Sequence, residues 1–273
     1  TSGWETDFEN SSIDMSEVLS GGVPRDGIPP IDNPGFDKLE YVKDLQPQSP
    51  VISININGDA RAYPLEVLTR HEIVNDVVVN VPVAVTFCPL CNSAIVYERT
   101  VDGEVLRFGV SGNLRNSDLI MWDDKTESWW QQLTGQGIVG DYNGYQLTFV
   151  SSQVISFAAF SKHHPDGKVL RGPHGGYGRN PYVGYDSNQN PFLYRGDVDD
   201  RLFATARVLA ITLDGSSIAY PFHVLQSAHV INDTVSDTDL VIFWEEGAAS
   251  ALDASDIDSS KDVGMAVMYN RKL

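Results

Sequence analysis

Part of this chain is written twice, and that constrains its fold more than any other feature. Gly58 to Asp76 reads GDARAYPLEVLTRHEIVND and Gly215 to Asp233 reads GSSIAYPFHVLQSAHVIND, aligned without a gap at a spacing of 157 residues. Gly, Ala-Tyr-Pro, Val-Leu and Asn-Asp recur in register. The match runs on more loosely, with Val83 to Phe87 facing Leu240 to Trp244. Across a shortened linker, Met121-Trp122 then matches Met268-Tyr269. This is the pattern of one unit present in two copies, about 51–125 and 208–273, with no second copy of 126–207. The expected organisation is an extended N-terminal segment over 1–50, a first β-rich unit with an inserted loop region over 51–207, and a degenerate second unit over 208–273.

Within the first copy, Val51 to Ile56 alternates and ends at Asn57-Gly58, which predicts a strand and a tight turn. Ala60 to Tyr63 starts the return strand. Pro64 opens a short helix to Arg70, where its missing N–H costs nothing. Ile73 to Val79 and Val81 to Phe87 read as two strands joined near Asn80. Asn92 to Arg99 and Glu104 to Val110 read as a further hairpin. Ser111 to Ser117 reads as a polar loop, and Leu119 to Trp122 as a short strand. The Gly-, Pro-, Tyr- and His-rich stretch 168–190 predicts a long ordered loop or a lid over a site. The fold class expected is mainly β, an α+β chain with short helices, built as two related units around the inserted middle segment.

Charge narrows the partners. Thirty-seven acidic and 19 basic residues leave a formal charge of −18. Such a surface repels phosphate backbones, so no nucleic-acid partner is expected. No apolar run approaches the ~20 residues of a membrane span. The chain opens Thr-Ser-Gly-Trp without a leader, as expected of a processed, exported protein. The expected location is extracellular or at the cell surface, with any lipid anchor or surface attachment lying upstream. The acidity also fits a halophile.

The chain has only two cysteines, Cys88 and Cys91. A disulfide scaffold needs more, so the pair calls for a local explanation. If the hairpin turns near Asn80 and Val81, antiparallel pairing sets His71 opposite about Leu90, beside the Cys-Pro-Leu-Cys loop. Cys88, Cys91 and His71 then form a Cys2His set suited to one copper or zinc ion, copper ahead of zinc, with an open fourth position and a redox role. Glu72, Asp76, Asn92 and Met121 are candidates for a fourth ligand or second shell, with Glu72 and Asp76 the candidate acid–base groups. In the second copy His71 maps to Ala228, Cys88 to Glu245 and Cys91 to Ala248, so every ligand of the set is missing there. Three other readings stand beside the metal. Cys88 and Cys91 suit a thiol–disulfide oxidoreductase acting with a redox partner. They also suit a structural disulfide or two buried thiols at a tight turn. Two units with aromatic loops suit a non-enzymatic surface module. The same residues serve an enzyme on a small molecule and a binding protein equally. Asp186, Asn188 and Asn190, with Asp197, have the opening spacing of a calcium loop, but Pro191 stands where that loop needs glycine. His174 lies in a Gly-Pro-His-Gly-Gly run from which it could reach a site.

With these residues in view, the chain resembles the domain of unknown function 3179 family. The stretches that carry the resemblance are Asp26-Gly-Ile-Pro-Pro-Ile-Asp32, Arg61-Ala-Tyr-Pro64, His71-Glu-Ile-Val-Asn-Asp76, Phe87-Cys-Pro-Leu-Cys-Asn-Ser93 and the region from Ser117 to Gln132. The resemblance implies an exported or lipid-anchored protein and weight on the His71–cysteine region. It implies no activity.

Overall fold

A computed structural model describes residues 3–173 and 176–272. Strand is its main regular structure, with three short α-helices among the described residues, as the alternating segments predict. None of these helices is long and apolar enough to cross a membrane.

The molecule is organised around a four-stranded antiparallel sheet in the order Phe149–Val150, Ser93–Glu98, Val81–Cys88, Ile73–Val78. Alternation splits its side chains between two cores. Val74, Val78, Val83, Val85, Phe87 and Val96 pack with Ile52 and Ile54 of a second sheet. Ile73, Ala84, Cys88 and Tyr97 pack with Phe108, Met121 and Trp130 of a third. A strand covered on both faces has no polar side, which explains the nearly unbroken apolar run Val81 to Cys88.

The third sheet corrects two expectations. Ser93–Glu98 does not pair with the strand after the 101–103 turn. Only Thr100–Val101 and Glu104–Val105 pair there, and Phe108–Arg115 starts the third sheet instead. The polar stretch from Ser111 is not a loop but the second half of that strand, carried through a register shift between Val110 and Leu114. Gly112 makes the shift affordable to the backbone: its φ is +81°, and a Cβ there would lie 2.2 Å from the Val23 carbonyl oxygen.

The two similar segments are built alike. Pro50–Ile56, Asp59–Pro64, helix Leu65–His71, Ile73–Val78 and Val81–Cys88 have counterparts in Val208–Leu213, Ser216–Pro221, helix Phe222–Ala228, Val230–Val235 and Thr238–Glu245. The special backbone positions coincide as well. Val79 and Asn80 have φ 48° and 66°, and Ser236 and Asp237 have 46° and 62°, so each hairpin closes on two left-handed residues. The Tyr63 hydroxyl donates to Asp76 at 2.6 Å and that of Tyr220 to Asp233 at 2.8 Å.

The segments part after their last shared strand. In the first, residues 89–92 form a tight turn into Ser93–Glu98. In the second, 246–264 makes a long excursion before Met265–Asn270 pairs back. Met268 lies opposite Ile242, the place Val96 takes opposite Val85. It therefore corresponds to Val96, and not to Met121 as the sequence match suggests. The excursion braces the first segment. Ala251, Leu252 and Ile257 join the first core, and Ala249 N–H donates to the Gln48 carbonyl at 2.9 Å.

Leu252 is fully buried. Leu252→Ala is expected to cost about 2–5 kcal/mol and to lower the urea midpoint of a single transition. Far-UV circular dichroism and tryptophan fluorescence should follow that transition together, since the excursion belongs to the first core.

Candidate functional site

Two hairpin turns meet at the end of the central sheet. The first is Pro89-Leu90-Cys91-Asn92. Cys88 ends one strand opposite Ser93, Asn92 takes φ 50°, and its N–H donates to the Pro89 carbonyl at 3.2 Å. The second is Asn116-Ser117, both left-handed, which sets Asp118 opposite Arg115. One ligand atom each from Cys88, Cys91 and Asp118 lies within 4.8 Å of the others. Both cysteines are free thiols.

Hydrogen bonds fix the cluster. The Cys91 thiol lies 3.0 Å from Asp118 Oδ1 and 2.9 Å from Ser93 Oγ. The Ser93 hydroxyl donates to Gln132 Oε1 at 2.6 Å. Gln132 in turn donates to Thr86 Oγ1 at 2.8 Å. Asp118 Oδ2 accepts from the Leu133 N–H at 3.0 Å and from the Gln131 amide. The Cys88 thiol points to the Ser117 carbonyl at 3.7 Å.

The hairpin delivers Glu72 towards this cluster. Val78 pairs with Val81, so the turn centres on Val79 and Asn80 and the register lies two residues from the expected one. The Phe87 N–H donates to the Glu72 carbonyl at 2.8 Å, which sets Glu72 beside the strand end that carries Cys88. His71 is still helical, and Glu72 at φ 58° turns the chain out of the helix, so the two side chains diverge. His71 does not join the sulfurs. Its Nδ1 donates to the Pro29 carbonyl at 2.7 Å, and its Nε2, left as the acceptor, takes the Tyr177 hydroxyl at 2.7 Å. Asp76 is held by Arg61 at 2.7 Å and by Tyr63 at 2.6 Å. Met121 is fully buried in the second core. Asn92, with its amide oriented to suit its neighbours, accepts from Arg207 at 2.9 Å.

The remaining candidates lie elsewhere. Asp186 binds Lys261 at 2.9 Å and Ser250 at 2.6 Å, and Asn188 Oδ1 accepts from the Asn190 N–H at 2.9 Å. The Asp186 and Asn188 oxygens suggested for calcium are thus engaged within the protein. His174 lies outside the described residues. Asp118 is the member that sequence reasoning missed. Its signal is an acid opening the apolar run Leu-Ile-Met-Trp, directly after the Asn-Ser turn.

The electrostatics are those of crowded acids. Neither Asp118 nor Glu72 has an ion-pair partner among the described residues, although they are 4% and 7% exposed. Burial raises the Asp118 carboxyl, against its hydrogen bonds. Cys91 is pushed well above the usual thiol range by its hydrogen bond to Cys88, by burial, and by the charges of Cys88 and Asp118. Glu72 rises to about 8, first through burial and then through the charge of Asp118.

A family model described as "Protein of unknown function (DUF3179)" matches residues 25–273. No curated protein and no solved structure matches the chain.

The raised carboxyl of Glu72 makes a pH test. Its folded value of about 8 lies above its ordinary 4.5, so between these the native state holds a proton that the unfolded chain releases. Stability in chelator should therefore fall as pH rises through that window and level off above it, by on the order of a few kcal/mol. Asp118 adds the same sign from lower pH. Glu72→Gln should flatten the slope, read from urea midpoints at pH 5, 6.5 and 8.

Proposed function

The chain belongs to the DUF3179 family, whose description names no activity, and from the site itself we propose that the protein is a zinc-dependent enzyme or zinc-binding protein with one mononuclear centre. Cys88, Cys91 and Asp118 supply the three ligands, and Glu72, bonded through its backbone to the strand end that carries Cys88, is the neighbouring acid. The observation that carries this reading is the convergence of two sulfurs and a carboxylate oxygen within 4.8 Å, with no ion-pair partner for Asp118 or Glu72 among the described residues. Acids brought together in a dry place repel one another, and a divalent cation is what makes such a cluster favourable.

The donor set favours zinc over copper. Two thiolates suit either ion, but the third donor is a hard carboxylate oxygen, and His71 spends both ring nitrogens on Pro29 and Tyr177. Three protein ligands with a fourth position open is the catalytic type of zinc site, where the ion acts as a Lewis acid on a bound oxygen. Glu72, whose raised carboxyl answers to burial and to the charge of Asp118, is the acid–base group this reading assigns to that oxygen. The Ser93–Gln132–Thr86 chain orients Cys91 from behind.

A dithiol–disulfide role fits less well. A redox dithiol draws its lowered thiol pKa from a helix N-terminus or a neighbouring cation. No helix N-terminus faces the pair, because the chain leaves Asn92 directly into a strand. We further infer that the two like-built segments are copies of one unit, of which only the first carries the centre. The second has Glu245 in place of Cys88 and Ala248 in place of Cys91.

The full chain, dialysed against a metal buffer, should hold one zinc per molecule. Cys88→Ser, Cys91→Ser and Asp118→Asn should each weaken zinc by about tenfold or more, while His71→Ala leaves it unchanged. Zinc content that survives both cysteine variants removes the proposal. Loss on His71→Ala at unchanged far-UV circular dichroism restores the histidine ligand instead.

A further inference from the structure

The strand that clasps the first segment has no counterpart in the second. Residues 149–156 run as one extended stretch across two sheets. Phe149 and Val150 pair with Tyr97 and Val96, and Ser152 to Ser156 pair with Ile54 to Pro50. Val150 and Val154 pack on the first core, and Ile155 is buried in another.

The matching registers say where such a strand would lie in the second segment. Met268 stands opposite Ile242 as Val96 stands opposite Val85. Leu209 and Ile211 pair with Tyr220 and Ile218 as Ile52 and Ile54 pair with Tyr63 and Arg61. Among the described residues, no strand pairs with the outer edge of Val208–Leu213 or of Met265–Asn270. Between these two edges lies a groove of about 380 Å³, whose lining includes Leu209, Ile211 and Met268. Ile52, Ile54 and Val96 are fully buried or nearly so, whereas Leu209, Ile211 and Met268 are only partly covered. The Gln153 amide donates to the Tyr269 hydroxyl at 2.7 Å at one side of the groove.

Both edges are unguarded. Sheets commonly blunt a free edge with charge, proline or a bulge. Val208–Leu213 and Met265–Asn270 contain no charged residue and no proline, and their pairings show no register shift. No residue lining the groove is charged, in a chain of 37 acids. Asp214 and Gly215, at φ 48° and 80°, join Leu213 directly to Ser216. A two-residue hairpin closes on a hydrogen-bonded pair and alternates from there. Leu213, Ile211 and Leu209 therefore bond to the neighbouring strand, and Thr212, Ala210 and Val208 turn their backbone groups to the open edge.

We propose that this groove takes one extended strand of a partner polypeptide, by β-strand addition. The chain's own 149–156 states the chemistry of that strand. It is uncharged, with apolar side chains at the places of Val150, Val154 and Ile155. A second copy of this chain fits less well, because its free edge would reach one of the two edges, whereas a single strand reaches both. The inference does not rest on the metal reading.

The test uses the full chain and a fluorescein-labelled peptide of sequence Phe-Val-Ser-Ser-Gln-Val-Ile-Ser, followed by fluorescence anisotropy. Saturable binding is expected, with slower amide hydrogen exchange at 208–212 and 266–270. The peptide carrying Val154→Asp should bind about tenfold more weakly or worse. In the protein, Ala210→Pro removes an outward N–H while sparing the bonds to Ser216–Pro221, and should weaken the peptide by a similar factor. Ala210→Ser, which places there the residue type of Ser53, should not. Absence of saturable binding up to ~1 mM peptide, or equal binding of the Val154→Asp peptide, overturns the proposal. The peptide variant leaves the protein untouched and so decides the matter even where Ala210→Pro unfolds the chain. Faster exchange at 149–156 on binding means that the peptide displaces the chain's own strand, and overturns the groove as its site. A dimer in sedimentation that Ala210→Pro splits gives the edge to a second copy and overturns the partner strand.

Discussion

The strand Val81–Cys88 is covered by apolar side chains on both faces, so its end holds Cys88, with Asp118 across from it, where water cannot easily satisfy polar groups. That one constraint shapes the site. Every donor and acceptor near the turn has to find a partner inside the protein or be completed by something bound. Most of them do find partners. Ser93, Gln132 and Thr86 close a chain of hydrogen bonds, and Asp118 is gripped by Gln131, Leu133 and Cys91. What Asp118 and Glu72 do not find among the described residues is an ion-pair partner.

The arrangement makes sense as a balance between scaffold and chemistry. Asp76 is also a buried carboxylate, yet it is bound by Arg61 and Tyr63. The Tyr–Asp bond recurs at Tyr220 and Asp233, where no sulfur is near in the sequence. That bond is part of how the segment is built. Glu72 and Asp118 have no such guanidinium, and the cost of burying them falls on stability at neutral pH. A protein keeps that cost where the groups have other work.

The second segment contributes from a distance. Where the first segment makes a tight cysteine turn, the second sends 246–264 across to the first core. Its Ala251 and Ala254 carbonyls hold Asn180, and Asn180 holds the loop that carries Tyr182. The segment without the sulfurs thus steadies a loop of the inserted middle stretch. This gives the shared core physical meaning: Ala251, which lies in that core, also anchors Asn180.

The sequence by itself determined what depends on neighbours along the chain. Alternation of apolar residues, Asn-Gly and Asp-Gly turns, and proline at helix starts fixed the β class, the strand–strand–helix–strand–strand order and the closeness of Cys88 to Cys91. Those are local effects of backbone sterics and side-chain period. Tertiary structure decided the rest. The helix runs on through His71 and ends on the left-handed Glu72, so Glu72 enters the hairpin beside the cysteine turn while His71 is left to Pro29 and Tyr177. Asp118 lies far from Cys88 in sequence, and only the packing of one sheet on another brings it there. Periodicity is written within one strand, whereas the meeting of separate strands depends on burial shared by the whole molecule, and no local pattern records that.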